Sequence, residues 1–353
     1  ADVAARTEKI HQTMQQYVQD GTLRTLPAGV VLTERWSGGS CPRRGIVLSV
    51  DLEAYEYTPG SASLIRPTEK TVVERIPPRL KVREGACLEL PHIMILIDDP
   101  DRRIIEPLFE KTGSFSKLYD TDLMQNGGHI TGWLVEGKDV DEFNKALTEY
   151  TATVGEKYTG LKGTPMVFAV GDGNHSLATA KSCYEELKRN HPGEDLSNHP
   201  ARYALVELEN IHDPAQVFEP IHRVVTGCDP KALRKALESQ ACAEGGFPVT
   251  WYAGEESGTV LLDRSLSELA VGVLQGFLDS YLADHPGEVD YIHDDDALIA
   301  LAKQPNAIGF LLPAMEKSQL FRGVIADGIL PRKTFSMGHS REKRYYLEGR
   351  KIK

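Results

Sequence analysis

The sequence predicts a mixed α/β protein with two domains. Short apolar runs alternate with segments that carry apolar residues at helical spacing, the pattern of strands interleaved with helices. The chain has 353 residues, which is more than one ordinary core accommodates and fits about two domains. Its character changes after Gly227. We therefore predict a first domain over residues 1–227 and a smaller α/β domain over residues 228–353.

Local signals predict the elements of the first part of the chain in order. Residues 1–20 carry apolar side chains on one face and predict a helix, which Gly21 ends. Strands are predicted at "GVVLTERW" and "RRGIVLSVDL", joined by the turn "SGGSCP". A helix from about Pro78 to Gly85 precedes the apolar strand "HIMILIDD". "DRRIIEPLFEKTG" is predicted as a helix, and "SKLYDTD" and "GHITGWLVEG" as strands around the turn "QNGG".

The same signals continue to the C-terminal part. "DVDEFNKALTEYTATV" predicts a helix with an Asp cap. The strand "PMVFAVGDG" leads into the helix "HSLATAKSCYEELKRN", and "ARYALVELEN" and "FEPIHRVVTG" predict two more strands. "DPKALRKALESQ" predicts a helix, and "VTWYAGEESGTVLLD" a hairpin with "EESG" as its turn. A long helix at "SLSELAVGVLQGFLDSYLADH" is followed by strand, helix and strand in "VDYIHDDDALIALAKQPNAIGFLLP".

Composition excludes several classes of protein. The net charge of −11 and pI of about 5.5 are the opposite of what a general nucleic-acid binder shows, so we expect no nucleic-acid partner. No run of about 18 apolar residues and no signal peptide occur, so we expect no membrane association. The five cysteines are widely spaced without a CxxC pair, which indicates a reducing, cytoplasmic setting. The chain lacks an initial Met, so we expect its natural start to lie upstream.

The stretch "VFAVGDGNHSLATAKSCYEEL" carries the clearest chemical signal. A strand ends at Gly171-Asp172-Gly173, and a helix begins immediately afterwards. The first N–H groups of a helix lack internal partners and attract anions, and glycines let an anion approach the backbone. Asp172 could hold a metal ion or orient a hydroxyl, and His175 could donate to a phosphate oxygen. The alternative is a purely structural turn, in which Asp172 and Asn174 cap the helix.

Neither the P-loop pattern nor a dinucleotide-binding fingerprint occurs here. Instead, "VGDGNHSLATA" resembles the "DGHHR-x-x-A" motif of the ParB/sulfiredoxin-like superfamily, which includes free-serine kinases, CTP-binding partition proteins and sulfiredoxin. A resemblance to the uncharacterised DUF1015 family covers nearly the whole chain. "IRPTEKT", "DPAQVFEPIHRVV" and "GILPRKTFSMG" match further motifs of that family in the right order. Its members usually carry an additional N-terminal segment.

The resemblance implies a ParB/sulfiredoxin-like nucleotide-binding core and roles for particular residues. Glu69 in "RPTEKT" matches a glutamate thought to act as general base in the serine kinases. Asp172, Gly173 and His175 match the "DG-x-H" part of the phosphate-binding motif. Asn174 and Ser176 depart from it, and Ser176 stands where the family has an Arg that can donate two hydrogen bonds to phosphate.

Other segments supply weaker candidates. Arg223, Arg332 and Lys333 are candidate substitutes for the missing Arg, and Thr334 completes the family motif around them. His222 lies beside Arg223 in an apolar strand, where a charge needs an anion or an ion pair. Thr71, His129 and His222 are minor substrate-binding candidates. The run Asp294–Asp296 is best explained as the start of a helix.

The C-terminal segment is strongly basic: Arg332, Lys333, Arg341, Lys343, Arg344, Arg350, Lys351 and Lys353. We expect its beginning to return towards a cleft and to contact a ligand, and its distal half to form an exposed tail or an edge strand. RNA binding by this segment with Tyr345 and Tyr346 is the less favoured alternative, because the chain as a whole is acidic.

The leading functional hypothesis is nucleotide-dependent phosphoryl transfer to a small hydroxylated metabolite, such as a serine-like amino acid. Glu69 would be the base, Asp172 would place Mg²⁺ or the acceptor, and Gly171, Gly173, Asn174, His175 and Ser176 would surround the phosphates of ATP or ADP. Two alternatives stay open. One is a nucleotide-binding switch without catalysis, and the other is a phosphatase or ligase on the same scaffold. A homodimer is compatible with the sequence.

Overall fold

The computed structural model describes residues 2–90, 93–337 and 345–353. These residues form two compact units. The first contains residues 2–159, 164–216 and 345–353, and the second contains residues 160–163 and 217–337. The predicted domain boundary at residue 227 stays a prediction; the chain passes from the first unit to the second at residue 217.

The first unit holds a mixed sheet with helices on it, which confirms the predicted mixed α/β class. Its elements are α1 (Val3–Gln19), β1 (Val30–Trp36), β2 (Arg43–Asp51), β3 (Ile65–Pro67), α2 (Ile76–Gly85), β4 (Leu88–Glu89), β5 (Met94–Ile97), α3 (Glu106–Phe109), β6 (Ser116–Asp122), β7 (His129–Val135), α4 (Lys138–Lys157), β8 (Phe168–Asp172), α5 (Asn174–Asn190) and β9 (Tyr203–Asn210).

Eight strands form the sheet in the order β3-β8-β5-β9-β2-β1-β7-β6. The pairs β3–β8 and β5–β9 are parallel, and the remaining neighbours are antiparallel. Because β3 and β8 run in the same direction, the segments that follow the two strands leave the sheet at the same edge. This arrangement places the segment after Pro67 beside the segment after Asp172.

Apolar patterning explains how α5 lies on this sheet. Leu177, Ala180 and Tyr184 lie on one face of α5, are buried, and pack in the core with strand residues such as Ile95. Fully burying one such side chain contributes about 1.5–3 kcal/mol. The core therefore fixes the position of α5, and with it the position of its N-terminus.

One predicted helix is wrong in extent. Over residues 101–113 only Glu106–Phe109 is α-helical. The carboxylate of Asp99 accepts the N–H groups of Arg103 and Ile104 at 2.7 and 3.0 Å. These bonds close a turn at residues 99–104, as short polar side chains often do. Arg102 within this turn is left-handed, with φ of 55°, which a right-handed helix cannot contain, so α3 begins only at Glu106.

The second unit holds a five-stranded antiparallel sheet in the order β13-β12-β15-β11-β14, and β10 pairs with β16. Its elements are β10 (Phe218–Pro220), β11 (His222–Thr226), α6 (Pro230–Glu238), β12 (Phe247–Ala253), β13 (Glu256–Leu262), α7 (Ala270–Asp284), β14 (Glu288–Ile292), α8 (Asp295–Ala302), β15 (Ala307–Leu311), α9 (Lys317–Asp327) and β16 (Phe335–Met337). The hairpin turn lies at Gly254–Glu255, so it begins one residue before the predicted "EESG" and shares Glu255 with it. Asp294 caps α8 through the N–H of Ala297, which confirms the structural explanation of the aspartate run.

The final residues belong to the first unit. The strand β17 (Arg350–Lys351) pairs with β4, so an edge strand forms as predicted. Tyr346 donates to Glu207 at 2.5 Å, and burial raises its pKa well above the ordinary value. Arg341, Lys343 and Arg344 lie outside the described residues. None of the helices in the described ranges has the length and apolar character needed to cross a membrane.

Candidate functional site

The segment after β3 and the start of α5 touch each other. The register pairs Ile65 with Phe168 and Pro67 with Val170, and the Thr68 hydroxyl donates to the Val170 carbonyl at 2.8 Å. Glu69 follows directly and therefore leaves the sheet at the same edge as Asp172. The parallel pairing brings together two motifs that lie about a hundred residues apart in the sequence.

A hydrogen bond joins these motifs directly. The backbone N–H of Val72 donates to Nε2 of His175 at 3.2 Å. An accepting Nε2 requires a neutral ring whose proton lies on Nδ1. Burial lowers the pKa of His175 below its ordinary 6.5, and the charges of Arg75 and Arg79 lower it further. At neutral pH, His175 can therefore offer Nδ1–H to a ligand.

The start of α5 is open to an anion. Gly173 takes a left-handed conformation with φ of 82°, and no side chain from the described residues caps the helix. The Gly173 N–H donates to the carboxylate of Asp172 at 2.7 Å. The N–H groups of Asn174 and His175 have no acceptor within the helix. The alternative in which Asp172 and Asn174 cap the helix is therefore wrong, because within the described ranges neither side chain accepts an N–H group of the first turn of α5.

Two buried polar atoms nearby have no hydrogen-bond partner within the described part of the chain. Among the described residues, neither Oγ1 of Thr71 nor Oδ1 of Asn174 has a hydrogen-bond partner, and Thr71 is only 5% exposed. An unsatisfied buried polar atom costs about 1–3 kcal/mol. Such atoms next to an uncapped helix indicate a place for a ligand or water.

Two arginines that sequence reasoning missed complete the site. Arg75 is the N-cap residue of α2, and Arg79 lies one turn further on; both are exposed. The first turn of α2 holds no acidic residue, although a helix N-terminus favours negative charge. Neither guanidinium forms an ion pair within the parts of the chain that the structure describes. Their spacing of four residues is equally typical of solvated helix surface, so no sequence signal identified them.

Ser176, which replaces the family Arg, lies in the first turn of α5, and its N–H donates to the Gly173 carbonyl. Arg75 and Arg79 supply positive charge in its place. We call the group formed by Glu69, Thr71, Arg75, Arg79 and residues 171–176 the α5 site. Phosphate or carboxylate is the kind of ligand that this set of donors and cations suits.

Arg223 lies in the second unit and is fully buried. Its Nη1 donates to the carbonyls of Ile221 and Lys333, and its Nη2 to the carbonyl of Arg332, at 2.6–2.8 Å. Burial lowers its pKa to about 10. The guanidinium thus holds the turn at residues 331–334, and its predicted role as a phosphate ligand is not what these contacts favour.

That turn presents two exposed cations. Lys333 takes a left-handed conformation with φ of 59°, and the Thr334 hydroxyl donates to the Pro331 carbonyl at 2.6 Å. The side chains of Arg332 and Lys333 face solvent. Their role as phosphate contacts stays a prediction.

Both predicted histidines outside the α5 site have partners on each ring nitrogen. His222 bonds to Asp295 at 2.7 Å through Nε2, and its Nδ1 accepts the Leu312 N–H. His129 bridges Asp120 and Asp122, both at 2.7 Å, and these bonds raise its pKa. The contacts explain both residues structurally and offer no free nitrogen for a substrate.

The donor set decides which metal-binding modes the α5 site can support. Across residues 2–90, 93–337 and 345–353, no group of three or more His, Cys, Asp or Glu side chains is suited to a metal ion. Mg²⁺ commonly binds through one or two carboxylates together with substrate phosphates and water. Asp172 at the α5 site fits that mode, since a nucleotide would supply the remaining oxygens.

Comparison with known proteins identifies the family. The fold defines a mixed α/β protein, and the α5 site is its candidate functional site. The chain belongs to the family described as "Protein of unknown function (DUF1015)", whose sequence model matches residues 1–347. The predicted family is therefore confirmed. No curated protein matches the chain.

Several solved structures are distantly similar. A free serine kinase mutant in complex with AMP shares 11% identity, with 83% of this chain and 87% of that chain covered and a TM-score of 0.38. SbnI with C-terminal truncation from Staphylococcus aureus shares 11% identity, with 83% of each chain covered and a TM-score of 0.41. A conserved hypothetical protein from Pyrococcus furiosus shares 10% identity, with 83% of this chain and 91% of that chain covered and a TM-score of 0.34. At such similarity these structures carry no argument about activity.

Proposed function

We propose that this protein binds the phosphates of a nucleotide, ATP or ADP, at the α5 site and transfers a phosphoryl group to a small hydroxylated metabolite. The observation that supports this most is the hydrogen bond between Val72 and His175. It joins the segment that holds Glu69 to the open end of α5. A candidate base and a candidate phosphate site therefore share one edge of the sheet.

Electrostatics support the binding step. The free N–H groups at the start of α5, Nδ1–H of His175 and the guanidiniums of Arg75 and Arg79 are all donors. Hydrogen bonds to charged groups are about twice as strong as neutral ones. A phosphate would also relieve the repulsion between two cations and the positive end of α2.

Chemistry would follow from positioning. The acceptor hydroxyl would give its proton to Glu69 while its oxygen bonds to the terminal phosphorus of the nucleotide. The bond from that phosphorus to the bridging oxygen would break, and the shortened nucleotide would leave. Arg75 and Arg79 would stabilise the charge on the transferred group. When bound, Mg²⁺ held by Asp172 would neutralise phosphate charge.

All five cysteines are free thiols, which suits a cytoplasmic setting.

The test separates binding from transfer. Thermal unfolding with ATP or ADP, with and without Mg²⁺, should show a rise in Tm for the wild type. Glu69→Gln should keep this rise but reduce transfer to a panel of hydroxylated amino acids by about 100-fold or more. Transfer can be followed by ³¹P NMR. Glu74→Gln, an exposed carboxylate in the same segment, is the matched control and should retain turnover.

Other outcomes would replace the proposal. If the protein is a nucleotide-binding switch, the wild type and Glu69→Gln will both bind nucleotide, and neither will transfer phosphate to any acceptor. A phosphatase would release phosphate from a phosphorylated metabolite without any nucleotide. No change in Tm with any nucleotide would refute nucleotide binding itself.

A further inference from the structure

A cavity lies at the opposite edge of the same sheet. Strands β5 and β9 are parallel and end at Ile97 and Asn210, whereas β8 runs against β5. Their carboxyl ends therefore lie away from the edge that carries Asp172. The loops that follow, together with residues 41–44, line an open cavity of about 190 Å³. It is separate from the α5 site.

A network of hydrogen bonds fixes one wall of this cavity. The amide of Asn210 donates to the carbonyl of Asp99 at 2.8 Å and to Oε1 of Glu106 at 2.9 Å. The carboxylate of Asp99 in turn holds the 103–104 turn. Asn210 therefore holds the Glu106 side chain, which lines the cavity, and Asp99 holds the turn that precedes it.

The second carboxylate oxygen of Glu106 has no partner among the described residues. Its Oε2 is shielded from water, and no hydrogen bond reaches it from that part of the chain. Burial raises the pKa of this carboxyl, and the charges of Asp99 and Asp213 add to the effect. A buried carboxylate oxygen without a donor is unfavourable, and a ligand would supply that donor if the Glu106 side chain turned Oε2 towards the cavity.

The remaining walls carry both signs of charge. Asp213 lines the cavity, and so do Arg44 and Arg102. Arg102 takes a left-handed conformation with φ of 55° and donates to the His212 carbonyl at 3.0 Å, so it is held in place. Pro42 and Pro214 supply apolar surface.

We propose that this cavity binds a small zwitterion, a free amino acid, whose ammonium group donates to Glu106 and Asp213 while its carboxylate faces Arg44 and Arg102. The cavity is large enough, because about 10–15 Å³ of cavity volume holds one water and this cavity is more than ten times larger. A ligand of this size has few non-hydrogen atoms, as glycine, alanine and serine do. The proposal does not depend on the proposed function of the α5 site.

Cys41 provides a direct measurement, because it also lines the cavity. The rate at which iodoacetamide alkylates each cysteine can be followed by peptide mass spectrometry on the full chain. Glycine, alanine or serine should slow the alkylation of Cys41. Cys242, which is similarly half-buried in the second unit, is the internal control and should react at an unchanged rate.

Variants and simpler probes test the chemistry. Glu106→Gln should raise the amino-acid concentration needed to protect Cys41 by about tenfold or more, because glutamine keeps the shape of glutamate but lacks its charge. Ethanolamine, which lacks the carboxylate, should protect less well than glycine. The thermal unfolding of Glu106→Gln verifies that the variant is folded. The proposal is overturned if no amino acid protects Cys41, or if protection is the same in the variant.

Discussion

Replacing Arg75 and Arg79 together by glutamine tests the α5 site most sharply. Both side chains are exposed, and neither is held by an ion pair in the described part of the chain, so the change should leave the fold intact. Both act electrostatically on His175. We expect the double variant to lose ADP affinity by on the order of 100-fold or more.

This magnitude distinguishes two physical roles. If each guanidinium donates directly to phosphate, each contributes about 1.5–3 kcal/mol, or at least about 100-fold for the pair. If they act only through solvent, each contributes about 0.2–1 kcal/mol, or at most about 30-fold together. The first role is favoured because no carboxylate among the described residues competes for either guanidinium.

Isothermal titration calorimetry with ADP measures the affinity, and an NMR pH titration follows His175 independently. The pKa of His175 should rise in the variant but stay below 6.5, because burial still lowers it. Arg189→Gln is the matched control. This exposed arginine lies on the same helix, 14 residues and about 21 Å from His175. A loss below about 30-fold would refute direct phosphate contact, and an unchanged pKa would refute the proximity of the arginines.

Three further outcomes are expected. Arg223→Gln should lower the free energy of unfolding by about 3 kcal/mol or more in urea denaturation, because three carbonyls lose a buried donor. A variant as stable as the wild type would contradict the role of Arg223 in holding the turn at residues 331–334. Gly173→Ala should cost about 1–2 kcal/mol in the same assay, because its left-handed backbone disfavours a Cβ, and an unchanged midpoint would argue against that conformation. The pKa of Glu106 in the folded protein lies above the ordinary 4.5. The stability that Glu106 contributes is therefore fully present below pH 4.5 and is lost as the pH rises through the folded pKa. Glu106→Gln should therefore gain stability relative to wild type between pH 4.5 and neutrality; a pH-independent difference would contradict the raised pKa.

Much of the secondary structure was predictable because its signals are local. The strand–turn–helix unit of β8 and α5 follows from an apolar run, two glycines and helical spacing within about twenty residues. The helix expected over residues 101–113 is shorter than its apolar pattern indicates, because that pattern does not report the backbone conformation. Arg102 is left-handed, with φ of 55°, and the Asp99 carboxylate closes a turn with the N–H groups of Arg103 and Ile104.

The candidate site was predictable only in part. Motif resemblance pointed to Glu69, Asp172 and His175, and the parallel pairing of β3 with β8 brings their segments to one edge. The cations near His175 were sought in distant basic motifs, whereas Arg75 and Arg79 lie in the helix next to it. Exposed arginines on a helix carry no sequence signal that separates them from solvated surface.

The amino-acid sequence by itself determined the class of fold, most elements and the family, because hydrophobic periodicity and turn residues act over short distances. Only the tertiary structure decided which loops meet, that Arg223 holds a turn, and that Glu106 faces a cavity with no partner for Oε2 among the described residues. These facts depend on strand register and on burial. Both arise from contacts between segments far apart in the chain, and no local pattern encodes them.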